Sequence, residues 1–128
     1  MYNIPVCNGE IIDKYTILEI KLQKINNKDK IEKVRKEHKL LEIFVDTLKN
    51  NFNISDLIKQ LKLINLKLWE IEDDIRKKES IQDFNQEFII LSRSVYFTND
   101  RRFEVKLQIN TLTNSNISEV KSYQKYTD

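Results

Sequence analysis

One glycine and one proline in 128 residues, Pro5 and Gly9, both fall inside the first nine positions and leave the rest of the chain without the usual residues of sheet turns. Beyond them only three polar clusters interrupt the pattern: Asn26-Asn27-Lys28-Asp29, Asn50-Asn51-Phe52-Asn53 and Asp83-Phe84-Asn85-Gln86. Between these clusters apolar residues recur at alternating steps of four and three, the spacing of one helix face. The pattern predicts an all-α fold, an antiparallel up-down four-helix bundle. Its helices are expected at about 9–26, 28–50, 55–80 and 84–112, with an extended N-terminal arm over 1–8 and a C-terminal tail over 113–128.

Each helix has a readable inward row. In the first it is Ile11, Tyr15, Leu18, Leu22 and Ile25, with Asn8 as cap; Ile12, Ile17 and Ile20 lie off that row and imply cover on more than one face. In the second it is Ile31, Val34, His38, Leu41, Val45 and Leu48, capped by Asn27. In the third it is Leu57, Leu61, Ile64, Leu68, Ile71 and Ile75, capped by Ser55. For the fourth, Asp83 and Gln86 have capping-box spacing. After Leu112 the chain loosens, and residues 117–126 read as a short extra turn or a strap bearing Tyr123 and Tyr126. Heptad spacing in several segments also suits a coiled-coil homodimer.

A length of 128 residues fits one domain able to bury a core. Twenty-two basic and 20 acidic residues, net +2, are interleaved, so no footprint for nucleic acid emerges. With Cys7 as the only cysteine, an intrachain disulfide and a multi-cysteine metal site are excluded. The acidic run Glu70-Ile71-Glu72-Asp73-Asp74 lacks the Glu-x-x-His partner of bundle metal sites, and His38 stands alone. No metal and no cofactor are expected. One glycine cannot build a phosphate loop, and no nucleophile-base arrangement can be placed, so catalysis is left open. No leader-like or membrane-spanning run is present, and a soluble cytoplasmic protein without a membrane partner is the expectation.

The chemistry concentrates on the last helix. Its inward row runs Phe88, Ser92, Val95, Asn99, Arg102, Lys106 and Ile109, greasy in the first half and polar in the second. Buried cations need partners, because an unpaired one costs several kcal/mol or more. Alongside the third helix's apolar row runs a polar one: Asn65, Trp69, Glu72, Arg76 and Glu79. Folding back about Gln82 sets Asn65 opposite Asn99 and Trp69 opposite Val95. The two rows would enclose a pocket of Asn65, Trp69, Glu72, Asn99, Arg102 and Lys106, with Arg76 on the same row, fit for a small anionic or sugar-like ligand. In that arrangement Arg102 and Lys106 neutralise the guest, and Glu72 or Glu19 holds the cations. The alternative is an ion-pair and amide network that only sets helix register.

Three segments carry a resemblance: Gly9-Glu10-Ile11-Ile12-Asp13-Lys14-Tyr15-Thr16-Ile17-Leu18-Glu19-Ile20-Lys21, Leu68-Trp69-Glu70-Ile71-Glu72-Asp73-Asp74-Ile75-Arg76 and Arg93-Ser94-Val95-Tyr96-Phe97-Thr98-Asn99-Asp100-Arg101-Arg102. Glu119-Val120-Lys121-Ser122-Tyr123 fits the same pattern. Together they resemble an uncharacterised family, a domain of unknown function in small bacterial and phage proteins often encoded beside glycosyltransferase and surface-polysaccharide genes. The resemblance implies a role near glycan assembly and adds Glu10, Asp13, Lys14 and Glu19 to the candidate ligand residues. It brings no reaction and no cofactor. The competing expectation is an interaction module that docks on a glycosyltransferase or on itself. Such a module should expose a contiguous apolar patch, for instance Ile17, Ile20 and Phe97, whereas a ligand protein should hold a concave polar pocket reaching Asn99 and Lys106.

Overall fold

The computed structural model describes residues 1–126. Four helices follow one another: α1 (Asn8–Lys24), α2 (Lys28–Asn51), α3 (Ser55–Ser80) and α4 (Gln86–Leu112). With no strand among the described residues, the fold is an all-α bundle. No helix is long and apolar enough to cross a membrane. Residues 1–6 are exposed and carry no regular structure, and burial begins at Cys7.

The helix starts show which polar residues cap. Asn27 accepts the Lys30 N–H at 3.0 Å, as its position implies. For α4 the cap is not Asp83 but Asn85, which accepts the Phe88 N–H at 3.1 Å. Gln82 turns the chain with a left-handed φ of 53°, and Asp83 is diverted to Lys78 Nζ at 3.0 Å. Neither Asn8 nor Ser55 caps; each is already the first helical residue. Asn8 instead ties α1 to the segment after α4, its Nδ2 donating to Thr113 Oγ1 at 2.9 Å and its N–H to Ser115 Oγ at 3.1 Å.

α1 is the hub. It packs against α2, α3 and α4, and α3 packs against α4. A 17-residue helix spans only about 26 Å, yet this one touches every other element. Its buried residues therefore wrap around it: Ile12, Asp13, Thr16, Leu18 and Ile20 are inside, while Ile11, Tyr15, Leu22 and Ile25 of the single row are only half-buried. On α2 and α3 the buried Val34, Val45, Leu61, Ile64 and Ile71 all sit on the rows that periodicity marks. The main core joins Ile12, Val45, Ile54, Leu61, Ile64, Val105 and Ile109. Removing such aliphatic side chains from water contributes roughly 1.5–3 kcal/mol each.

After Leu112, Asn114 takes the left-handed conformation that commonly ends helices, φ 53°. The chain then returns along α4 as an irregular strap, the second of the two forms the tail's composition allows. Ser118 Oγ accepts from Asn110 Nδ2 at 3.1 Å, Glu119 meets Lys106 at 2.8 Å, and the Tyr126 hydroxyl donates to Asp100.

The seam between α1 and α4 is closest at Gly9. Its N–H donates to Asn110 Oδ1 at 2.6 Å, and a Cβ there would stand 2.5 Å from the Lys106 carbonyl oxygen and 2.9 Å from Asn110 Oδ1. Alanine normally gains up to about 1 kcal/mol over glycine in a helix. Here the obstructing atom is backbone, and overpacking of this kind costs about 1–3 kcal/mol. Gly9→Ala should therefore lower the melting temperature by several degrees in calorimetry, where an unhindered helical glycine would give a rise.

Candidate functional site

The site is built on an acid buried in α1. Asp13 is 1% exposed, and its Oδ1 accepts from Arg102 Nε at 2.8 Å and from Asn65 Nδ2 at 3.0 Å. Arg102 Nη2 takes Oδ2, making the pair side-on and bidentate. Asn65 Nδ2 also donates to Thr16 Oγ1 at 2.9 Å, and that hydroxyl donates to the Asp13 carbonyl at 2.8 Å. One carboxylate thus joins α1, α3 and α4. One turn away on α4, Lys106 Nζ lies between Glu10 and Glu119, 2.8 Å from each. Glu119 also receives Lys121 Nζ at 2.7 Å.

These pairings bias protonation. The hydrogen bonds from Lys106 and then Lys121 hold the Glu119 carboxyl below its ordinary value. Burial pulls Lys106 down, but its hydrogen bonds to Glu10 and Glu119 outweigh that pull and the net direction is upward. The hydrogen bond to Asp13 likewise raises Arg102. The Tyr126 hydroxyl is pushed up to about 12, chiefly by its bond to Asp100.

Two cavities flank this network. The first, about 650 Å³, opens between α4, Glu10 of α1 and the strap. Its walls carry the cations Arg102, Lys106 and Lys121, the acids Glu10, Asp100 and Glu119, the amides Asn99 and Gln124, and the rings Tyr96, Phe103, Tyr123 and Tyr126. Tyr126 packs edge-on against Tyr96 and Phe97, with centroids 5.1 Å away in both cases. The second cavity, about 410 Å³, lies among α1, α3 and α4 and is lined by Ile17, Asn65, Leu68, Trp69, Glu72, Asp73 and Arg76. Asn99 and Arg102 belong to both.

The candidates from the sequence separate accordingly. Glu10, Asn99, Arg102 and Lys106 line the first cavity, and Asn65, Trp69, Glu72 and Arg76 the second. The single pocket expected from the two polar rows is divided, because Asp13 pins the Arg102 guanidinium between its halves. Asp13 lines neither cavity and serves from behind. Lys14 and Glu19 face elsewhere: Lys14 pairs with Glu37 at 2.8 Å, and Glu19 stands 3.7 Å from Lys62 and 3.9 Å from His38. Neither Glu72 nor Glu19 holds the α4 cations. Glu72 pairs with Arg76 of its own helix at 3.5 Å, and the work falls to Asp13, Glu10 and Glu119. Asn99 is exposed while its neighbour Thr98 is buried, since a 3.5-residue row drifts across a 3.6-residue helix.

Tyr96, Asp100, Phe103 and the strap residues Lys121, Gln124 and Tyr126 were not marked by periodicity as site residues. The signal available for the strap was its mix of charge and tyrosine after the last helix. The suggested docking patch of Ile17, Ile20 and Phe97 does not exist as such, for Ile20 is 1% exposed and Ile17 half-buried. No three His, Cys, Asp or Glu side chains among the described residues stand together as a metal site would need.

In comparison with known proteins, the model of a family described as "Family of unknown function (DUF6165)" matches residues 2–127. Neither a curated protein nor a solved structure matches the chain.

Replacing Arg102 by leucine leaves the Asp13 charge buried with only Asn65, and breaking one partner of a buried pair costs about 3–5 kcal/mol. Arg102→Leu should show that loss in denaturant unfolding, and Asp13→Asn in the same chain should restore part of it, because the stranded charge is then gone. The strap has its own pH window. A depressed Glu119 contributes stability above the ordinary glutamate pKa of about 4.3 and loses it as pH falls through the lowered value; a raised Lys106 contributes below about 10.4 and loses it as pH rises through the raised one. The strap should therefore stay docked from mildly acid to mildly alkaline pH. The side-chain carboxyl carbon shift of Glu119 should titrate below that of an unstructured glutamate.

Proposed function

The chain belongs to the DUF6165 family of unknown function, and from that premise we propose that it binds a small sugar-containing ligand in the cavity between α4 and the C-terminal strap. The observation that carries the reading is the balance of charge in that cavity. Arg102, Lys106 and Lys121 all have carboxylate partners, so little positive potential is left for a multiply charged anion. What remains is a set of tyrosine and phenylalanine rings beside carboxylates and amides. Ring faces pack against the C–H surfaces of a sugar, and the polar groups accept from and donate to its hydroxyls. Of the two guests the sequence suggests, anionic or sugar-like, a sugar with at most one charge fits this better.

A role in surface-glycan metabolism rests on the resemblance of the Gly9–Lys21, Leu68–Arg76 and Arg93–Arg102 segments. The reading is one of binding and assigns no catalytic group. It takes the helices as an antiparallel up-down set, supported by the way Gly9, Glu10 and Asp13 of α1 pair in turn with Asn110, Lys106 and Arg102 of α4. A second reading, docking on a partner such as a glycosyltransferase or on a second copy, rests on Leu40, Ile43 and Phe44. All three are exposed apolar side chains on α2, Ile43 and Phe44 each lying one turn from Leu40.

The test is retention of the full chain on a printed array of mono- to tetrasaccharides. Wild type should hold a defined subset, and Tyr123→Ala should weaken that binding by about tenfold. Tyr123 is exposed, so the melting temperature should stay put. Full retention by Tyr123→Ala, or no glycan held by wild type, overturns the reading.

A further inference from the structure

Resting on the reading that the first cavity holds a sugar-containing guest, we propose that the second cavity is a further subsite for the same guest. The ligand then has at least two rings, one under the strap and one against Trp69, joined by a linkage that crosses Arg102. The second cavity repeats the chemistry of the first. Trp69 gives an aromatic face, Glu72 pairs with Arg76, and Asp73 adds a carboxylate beside them. At about 410 Å³ it falls within the size range of small-molecule sites.

The boundary between the cavities is itself a recognition element. Asp13 consumes Arg102 Nε and Nη2. Among the described residues Nη1 has no acceptor, although the side chain lines both cavities. Asn99, exposed beside it, adds an amide shared in the same way. A fixed guanidinium edge with free N–H groups and an adjacent amide matches a linkage oxygen and the hydroxyls on either side of it. A guest confined to one cavity would leave these shared donors half used. The guanidinium plane is held from behind by a buried carboxylate, so little side-chain entropy is lost when the donors engage.

Trp69 is the only tryptophan, so tryptophan emission reports on the second cavity alone. The experiment uses the full chain, the same saccharide array and the variants Trp69→Ala, Trp69→Phe and Glu72→Gln. Glu72 is exposed and its exchange leaves the fold intact. Retention should begin at disaccharides. Binding of two-ring glycans should weaken about tenfold with Glu72→Gln and Trp69→Ala and recover in part with Trp69→Phe. Adding a retained disaccharide should shift tryptophan emission where its component monosaccharides do not. If single rings bind as tightly as disaccharides, or if the variants bind disaccharides as wild type does with emission unmoved, the second subsite is wrong and the first-cavity reading stands. If wild type retains no glycan, both fall together.

Discussion

The Asp13 carboxylate is the constraint on which the rest depends. A charge almost wholly removed from water is tolerable only when its oxygens are filled with strong donors. Those donors come from Arg102 on α4 and Asn65 on α3, so burying Asp13 obliges three helices to meet at one level. Gly9, one turn before it, removes the Cβ that would keep α1 away from the α4 backbone.

The strap is a different kind of element. Its Glu119–Lys121 pair is partly exposed, and pairs of that sort contribute on the order of 1 kcal/mol or less, while its tie to the buried Lys106 is a single side-chain contact. The edge-on contacts of Tyr126 add about 0.5–1.5 kcal/mol each. Together these hold an irregular segment in place without matching the apolar core under Ile12 and Leu61. The first cavity therefore has one rigid wall, on α4, and one wall from the low end of the local stability range. On the proposed binding reading, a guest would meet its least resistance at the strap.

Periodicity was enough to read α2 and α3, because each presents one face to the rest, and the rows through Val45 and Ile64 are the ones buried. On α1 a single row was not enough, for a geometric reason: the helix has neighbours on three sides, so Ile12 and Ile20, whose place off the row implied cover on more than one face, go inside together with Leu18 of the row and Thr16. Asn99, Arg102 and Lys106 were legible as a polar seam demanding partners. The partners were legible only in part, since Glu10, which meets Lys106, was among the acids of the first helix already singled out. Asp13 lies off the expected α1 row, and it came to notice through resemblance alone. Glu119 and Tyr126 belong to a segment with no period, where only its composition hinted at a strap. The capping-box spacing points to Asp83, two residues before the actual cap, because the left-handed turn at Gln82 and the ion pair of Asp83 with Lys78 are tertiary facts.

A purely structural polar seam is the economical account of buried ion pairs in a bundle, since such pairs fix register. It explains Asp13 and Thr16, which line neither cavity. It does not explain the rest of the network. Replacing buried pairs by well-packed apolar residues is often neutral or stabilising, so register alone gives no reason to extend the charges outward from Asp13. Yet they extend through Arg102 to a shared cavity wall and through Lys106 to a strap that closes over it. Arg102 satisfies Asp13 with two of its nitrogens, and its side chain lines the cavities on both sides. A side chain that completes the core on one edge and faces two cavities on the other links the stability of the bundle to whatever occupies them. On the proposed binding reading, the polar half of α4 is explained by that link, and by register only in part.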